Sequence, residues 1–284
     1  MPNEKWLIAP GESRVIDVEL VRSLKISLLG GKVDVIAHDE PGARIEVNSV
    51  SGRDLLVEID GDQLIVDHPQ RRWDNFIEVF KSFVVGNTRA EVSILAPRAV
   101  ALKLGVVSGD ALISGFTTDG KFSTVSGDIT VDNVSGNIEL SSVSGEVSAG
   151  DHLGRVVAHS VSGDVVASGQ ITRLSADTVS GNVMVDAHGV PDRIDSNTVS
   201  GDLTVRYVAG NGARYRANTV SGAVLLDNVS IKRILGTSYE HVTGTLEGAW
   251  LDLSANSVSG DISVIARPAE ASAPSTNEPS GASL

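Results

Sequence analysis

Along the second half of the chain, apolar and polar residues alternate in a pattern that returns every 18 residues. The tripeptide Val-Ser-Gly marks each return, and a half-period copy at residues 134–136 divides one unit into two similar halves. The glycines of the series are Gly109, Gly127, Gly145, Gly163 and Gly181 at strict spacing, then Gly201, Gly222, Gly244 and Gly260 at looser spacing. Repetition at a short fixed period is typical of a stacked repeat architecture.

The positions around each glycine keep their character from unit to unit. The second and fourth residues after the glycine are mostly aliphatic, as at Ile129 and Val131, and a polar residue such as Thr130 lies between them. A further column of valines precedes each Ser-Gly or Thr-Gly pair, as at Val125 and Val143. Alternation with period two is typical of a strand with one buried face. We assign the aliphatic and valine columns to that face.

The spacing also predicts the shape of the repeat. Half of an 18-residue unit accommodates one short strand and one turn, so each unit predicts a coil with two strands. Because neighbouring strands lie about 4.8 Å apart, equal spacing stacks identical residues into ladders. We therefore predict an all-β fold, a parallel β-solenoid, and we expect right-handed coils because parallel crossovers favour that hand. The glycines are expected at sharp corners, where a positive φ is accessible to glycine at little cost.

The pattern divides the chain into three parts. Residues 1–100 alternate irregularly and predict a β region that caps the solenoid, residues 101–266 form the regular array, and residues 267–284 predict a disordered tail rich in Ala, Ser and Pro. Within the first part, residues 73–85 place several phenylalanines on an amphipathic stripe with helical spacing. This stripe predicts a helix that either caps the solenoid or contacts another molecule.

Composition and charge narrow the possible functions. The chain carries 23 Lys+Arg and 36 Asp+Glu, a net charge of −13, so it repels phosphate backbones and nucleic-acid binding is not expected. It contains no cysteine and therefore neither disulfides nor thiolate metal sites. The start lacks the pattern of a secretion signal, and no apolar run approaches the roughly 20 residues of a membrane span. We expect a cytoplasmic protein without membrane contact.

The repeated Val-Ser-Gly-Asp units, together with an alternating β region that ends near Ala96-Pro97, resemble a known bacterial family. It is the putative-adhesin family of β-strand-repeat proteins, a domain of unknown function. The resemblance covers nearly all of residues 13–265. It implies a β-solenoid and an adhesin-like scaffold, and the family has no catalytic residues to carry over.

An acidic column follows the corner glycines. It contains Asp110, Asp128, Glu146, Asp164 and Asp202. Carboxylates stacked at strand spacing repel one another by roughly 1 kcal/mol per pair in water. One interpretation places cations such as Ca²⁺ between them. In the other, each side chain accepts a hydrogen bond from a turn N–H and faces solvent.

A row of hydroxyl residues precedes the valines. It contains Thr124, Ser142, Ser160, Thr178, Thr198, Thr219, His241 (the one exception in type) and Ser257. The row is either an ordinary solvent-facing column of a strand or a surface that binds a regular polymer such as a glycan. The histidines occupy unrelated columns, and no nucleophile elbow, phosphate loop or zinc-binding motif occurs. We therefore predict no enzymatic activity and no cofactor.

The aromatic stretch is the predicted partner contact. Its residues are Arg72, Trp73, Phe76, Phe80 and Phe83. Our functional prediction is a non-enzymatic structural or interaction scaffold with a protein partner, in an oligomeric state that the sequence leaves open. The alternative is a binding module that takes cations or polymeric carbohydrate on the acidic and hydroxyl columns.

Overall fold

A computed structural model describes residues 4–69, 88–227, 229–231 and 237–268, and within these ranges all regular structure is β-strand. The first strands are β1 (Glu4–Ile8), β2 (Arg14–Val18), β3 (Ser23–His38), β4 (Ala43–Ser51), β5 (Leu55–Asp60), β6 (Gln63–Asp67), β7 (Arg89–Pro97) and β8 (Ala101–Ser114). The middle strands are β9 (Gly120–Ser126), β10 (Ile129–Asp132), β11 (Ile138–Ser144), β12 (Val147–Ser162), β13 (Val165–Ser180), β14 (Val183–Ala187) and β15 (Arg193–Ser200). The last strands are β16 (Leu203–Val208), β17 (Gly212–Ser221), β18 (Val224–Leu226), β19 (Val229–Ile231), β20 (Thr237–Gly244), β21 (Trp250–Ser259) and β22 (Ile262–Arg267).

The strands form two parallel walls that the chain visits alternately, two strand segments per coil. The first wall contains residues 138–144 of β11 and pairs them with 120–126 and 156–162 at offsets of 18 residues. The second wall contains β10, which pairs at the same offset with β8 and β12. Long strands such as β3 and β12 continue around a corner and contribute to both walls. The predicted all-β solenoid is confirmed, and its right-handed coiling stays a prediction.

The N-terminal residues add antiparallel strands to this array. The parallel register begins with β6 and β7, which pair with the two halves of β3, and β3 pairs with β8 along its length. Beyond them, β5 and β1 extend the first wall, and β4 and β2 extend the second, all antiparallel. The predicted helix at 73–85 lies outside the described residues, as do residues 269–284 of the predicted tail.

At the other end, the tiers do not follow chain order. The strand β21 lies between β15 and β17, and β22 lies between β16 and β18. The segment between β17 and β21 returns as β20, which pairs antiparallel with β17 and places Gly244 opposite Gly212. Gly244 therefore does not belong to the glycine column, and our assignment of Gly244 to that series is wrong.

One corner of every coil is formed by stacked glycines. Nine glycines share this column: Gly31, Gly109, Gly127, Gly145, Gly163, Gly181, Gly201, Gly260 and Gly222. A Cβ on any of them would overlap the backbone carbonyl oxygen of the preceding tier. The expected positive φ occurs at Gly127 and Gly145 but not at Gly163 or Gly181. Close approach of two backbones, rather than φ alone, is therefore why glycine occupies this corner.

A single hydrophobic cluster fills the space between the walls. It includes the aliphatic columns that follow the glycines, for example Ile129 and Val131, and inward residues of the first wall such as Ile138 and Leu140. The cluster is built mostly of Val, Ile, Leu and Ala, which suits the narrow interior of a short coil. Most valines of the Val-Ser-Gly motif lie outside it.

Candidate binding groove

A line of half-exposed valines runs along the outside of the first wall. From β12 to β17 these side chains are between 48 % and 52 % exposed. In spatial order the line comprises Val161, Val179, Val199, Val258 and Val220, each on the next strand of the wall. On the strand before Val161, Val143 continues the line with a less exposed side chain. The same column is buried at Leu29 and Val107, nearer the N-terminal end. Our assignment of the valine column to the buried face is therefore wrong over most of its length.

The hydroxyl row is correspondingly buried, not solvent-facing as expected. Its Ser and Thr members in the parallel array are at most 7 % exposed, and several donate to the carbonyl oxygen of a corner glycine. Ser160 Oγ lies 2.9 Å from the oxygen of Gly163, and Ser142 Oγ lies 3.0 Å from that of Gly145. These bonds stabilise the corner. In the other tiers the hydroxyls of Thr124, Thr198 and Ser257 are buried without a hydrogen-bond partner. His241 lies on the antiparallel strand β20, outside this column.

A second, polar column faces outward beside the valines, two residues earlier on each strand. In spatial order it comprises Ser141, His159, Asp177, Asn197, Asn256, Asn218 and Ser238. The two columns border a channel of about 700 Å³, whose floor is the backbone of the hydroxyl row. We call this channel the valine groove.

The polar column is joined by side-chain hydrogen bonds. Asn218 Nδ2 donates to Asn256 Oδ1 at 2.7 Å, and Asn256 Nδ2 donates to Asn197 Oδ1 at 2.8 Å. Asn197 Nδ2 then donates to Asp177 Oδ1, also at 2.8 Å. Such amide ladders stabilise stacked strands. In this column each of the three amides uses one of its two N–H groups in the ladder.

The column also brings together a histidine and a carboxylate that sequence reasoning did not connect. His159 Nδ1 lies 3.3 Å from Asp177 Oδ2, and Ser141 occupies the preceding tier. The spacing of 18 residues between Ser141, His159 and Asp177 was the available signal, since one period stacks residues directly. Ser141 makes no hydrogen bond to His159, and both members of the His–Asp pair are almost half exposed.

The acidic column beside the corner glycines is engaged with the backbone. Asp128 Oδ1 accepts the N–H of Glu146 at 2.8 Å, and Asp164 Oδ1 accepts the N–H of Asn182 at 2.7 Å. Asp110 and Asp202 accept the equivalent N–H of Asp128 and Asp261. Each bond joins one tier to the next. Cation binding by this column stays a prediction, and no group of three or more His, Cys, Asp or Glu able to hold a metal ion occurs in the described residues.

The predicted partner contact of Arg72, Trp73, Phe76, Phe80 and Phe83 lies outside the described residues. No helix long and apolar enough to cross a membrane occurs in the part of the chain that the structure describes.

The family model of the Toastrack DUF4097 domain matches residues 21–265 of this chain. The chain belongs to this family. The Toastrack domain is a β-solenoid-like repeat fold, and the match extends from β3 into β22 and includes the entire valine groove. The resemblance inferred from the repeats is thereby confirmed.

Solved structures of several bacterial proteins are similar to this chain. A putative adhesin from Bacteroides fragilis is 15 % identical, covers 91 % of this chain and 100 % of its own, and has a TM-score of 0.49. A putative lipid binding protein from Parabacteroides distasonis is 12 % identical, with 92 % and 98 % covered and a TM-score of 0.47. A putative adhesin from the same species is 12 % identical, with 90 % and 98 % covered and a TM-score of 0.46. A search among curated proteins finds no match.

Proposed function

We propose that the protein is a non-enzymatic binding scaffold and that the valine groove is the surface on which it holds its partner. The observation that carries this proposal is the unbroken line of half-exposed valines from Val161 to Val220. An apolar line that is bordered by polar residues is a feature of ligand-binding grooves. The groove volume of about 700 Å³ also lies within the range of ligand sites.

The architecture supports binding because the coil backbone holds the valines in fixed positions before a partner arrives. Each valine occupies the same position of a coil whose backbone is held by the glycine corner and by wall hydrogen bonds. A rigid array loses little conformational entropy when a partner binds, and this favours affinity at a modest contact area.

The groove chemistry argues against catalysis. Ser141, His159 and Asp177 are stacked in the order of a hydrolytic triad, but Ser141 is not hydrogen-bonded to His159. Stabilisation of a developing oxyanion is usually the largest catalytic contribution, and it needs free, preorganised donors. Here the neighbouring strands pair in register on both sides, so their backbone N–H groups serve the walls. We therefore interpret the His–Asp pair as part of the polar column and not as a catalytic pair.

Comparison of three forms of the full chain tests the proposal. The wild type, a groove variant Val179→Gln/Val199→Gln and a control variant Met184→Gln are immobilised and exposed to a native lysate. Met184 is 50 % exposed on the outside of the second wall, so its replacement matches the groove change in type and exposure. Bound proteins and bound small molecules are both quantified by mass spectrometry.

We expect at least one species to bind to wild type and control and to fall about ten-fold on the groove variant, with equal melting temperatures for all three forms. Identical binding profiles for the three forms would contradict a binding role for the groove.

A further inference from the structure

The dimensions of the valine groove limit what it can hold. Six strands at about 4.8 Å give it a length near 25 Å, and two residues along each strand give it a width near 7 Å. The resulting floor of under about 200 Å² is far below the roughly 800 Å² per partner of a stable protein interface. The groove alone therefore fits a narrow, elongated ligand and not a second copy of this chain.

The hydrogen bonding of the groove limits the ligand further. The amides of Asn218, Asn256 and Asn197 each donate one N–H along the column, to one another and to Asp177, and so keep one N–H each for an outside ligand. The floor is strand backbone that is paired with both neighbouring strands. An extended peptide or a sugar chain would bring many polar groups, and each one left unpaired in the groove costs free energy. Among the described lining residues there is also no Trp, Tyr or Phe on which a sugar ring could stack.

Charge limits the polar end of the ligand. The chain carries a net charge of −13, so its field repels anions. Within the groove, the carboxylate of Asp177 is shared between His159 and Asn197, and the described residues that line the channel include no Lys or Arg. An anionic headgroup would therefore find no ionic partner there.

We propose that the valine groove binds a linear saturated alkyl chain with an uncharged polar head, lying parallel to the stacking direction of the strands. This inference rests on the proposed function and gives it a ligand class. A hydrocarbon chain needs no hydrogen bonds and gains from the valine line at every tier.

Titration calorimetry with n-alkyl maltosides of increasing chain length, each below its micelle concentration, tests this ligand class. Full burial of one methylene tightens binding about four-fold, so burial on one side of an open groove is expected to give about two-fold per methylene. Maltose alone is expected not to bind. Fatty acids of equal chain length are expected to bind at least ten-fold more weakly at low ionic strength, because their carboxylate meets the negative field of the protein.

The matched variants are Val179→Thr/Val199→Thr in the groove and Met184→Thr on the opposite wall. Threonine keeps the shape and β-branching of valine, so the fold is expected to be unchanged while the affinity falls about ten-fold in the groove variant alone. Affinity independent of chain length, binding of maltose, or equal affinity for groove variant and wild type would overturn the alkyl assignment. If the groove variant loses a captured protein but no alkyl maltoside binds to the wild type, the scaffold proposal stands and this ligand assignment fails.

Discussion

The two corners of the coil are built in different ways. At the glycine corner, nine tiers repeat one residue type, and each glycine contacts the backbone of the tier before it. At the opposite corner the residues change from tier to tier. Asn133 and Asp151 take positive φ there without being glycine, and the β12–β13 register shifts on either side of His152.

The difference shows which corner sets the period and which absorbs variation. Adjacent tiers from Gly109 to Gly181 keep an 18-residue offset, whereas the tier that ends at Gly201 has two more residues. Those extra residues fall in the turn around Gly189, at the opposite corner, while the glycine column stays aligned. The glycine corner thus holds the walls in register, and it thereby aligns the valine groove.

Replacement of Gly163 by alanine is the strongest test of this contrast. A Cβ at Gly163 would overlap the carbonyl oxygen of Gly145, and the φ of Gly163 is not in the positive range, so the effect is purely steric. We expect a loss of at least about 3 kcal/mol in the free energy of unfolding, measured by urea titration.

The matched control is Gly189→Ala at the opposite corner, where a new Cβ would meet nothing within 4 Å. We expect this change to stay within about 0.5 kcal/mol. Equal losses for the two variants would mean that the two corners do not differ in the way described.

The repeat predicted the period, the two strands per coil and the glycine corner because these depend on neighbours one period apart. It did not predict that β21 lies between β15 and β17, since that pairing joins residues 59 positions apart. Our prediction that the valines face inward was also wrong. Counting by two from Ile138 and Leu140 leads to Ser142 as the inward residue, but its polarity argued against burial until its bond to Gly145 was known.

Acid–base behaviour offers a second test, at the N-terminal end of the glycine corner. Burial raises the pKa of Asp67 to about 6, and burial together with Arg53 lowers the pKa of His68 to about 4. Asp67 Oδ1 is buried without a partner, and His68 Nδ1 accepts the N–H of Leu29 at 3.3 Å. The folded pKa of Asp67 lies above its unfolded value, so folding favours the neutral carboxyl. The contribution of Asp67 to stability is therefore largest below about pH 4 and is lost as the pH rises through about 6. His68 acts in the opposite sense, since its charged form is disfavoured by folding and it costs stability as the pH falls below 6.5.

We therefore expect Asp67→Asn to raise the free energy of unfolding by about 1–2 kcal/mol at pH 8, after allowance for partial solvent screening, and to have little effect at pH 4. Urea titrations at both pH values measure this difference. The control, Asp62→Asn, alters an exposed carboxylate in the adjacent turn and is expected to show no such pH dependence. An equal gain at both pH values would show that packing, and not ionisation, is responsible.

The acidic column tests the glycine corner one bond at a time. Asp164→Ala removes the acceptor for the N–H of Asn182, and we expect a loss of about 1 kcal/mol in the free energy of unfolding. Asp164→Asn is expected to restore most of it, because Asn182 itself accepts the N–H of Asp202 through its amide oxygen. Thermal melts of both variants in the presence and absence of calcium separate this role from cation binding. A calcium-dependent melting temperature that both variants abolish would favour the cation interpretation.

The smallest expected effect concerns the two neighbouring residues Ser160 and Val161, which face opposite sides of the first wall. Ser160→Ala removes the hydrogen bond to the oxygen of Gly163, and we expect it to lower the free energy of unfolding by about 1 kcal/mol. Val161 is already 48 % exposed, so we expect Val161→Thr to change the free energy of unfolding by no more than about 0.5 kcal/mol. Urea titration of both variants measures the contrast. A larger loss for Val161→Thr than for Ser160→Ala would place the valine inside the core. Such a result would remove the groove and the binding proposals with it, because a scaffold that buries its valines has no apolar surface to offer along this wall.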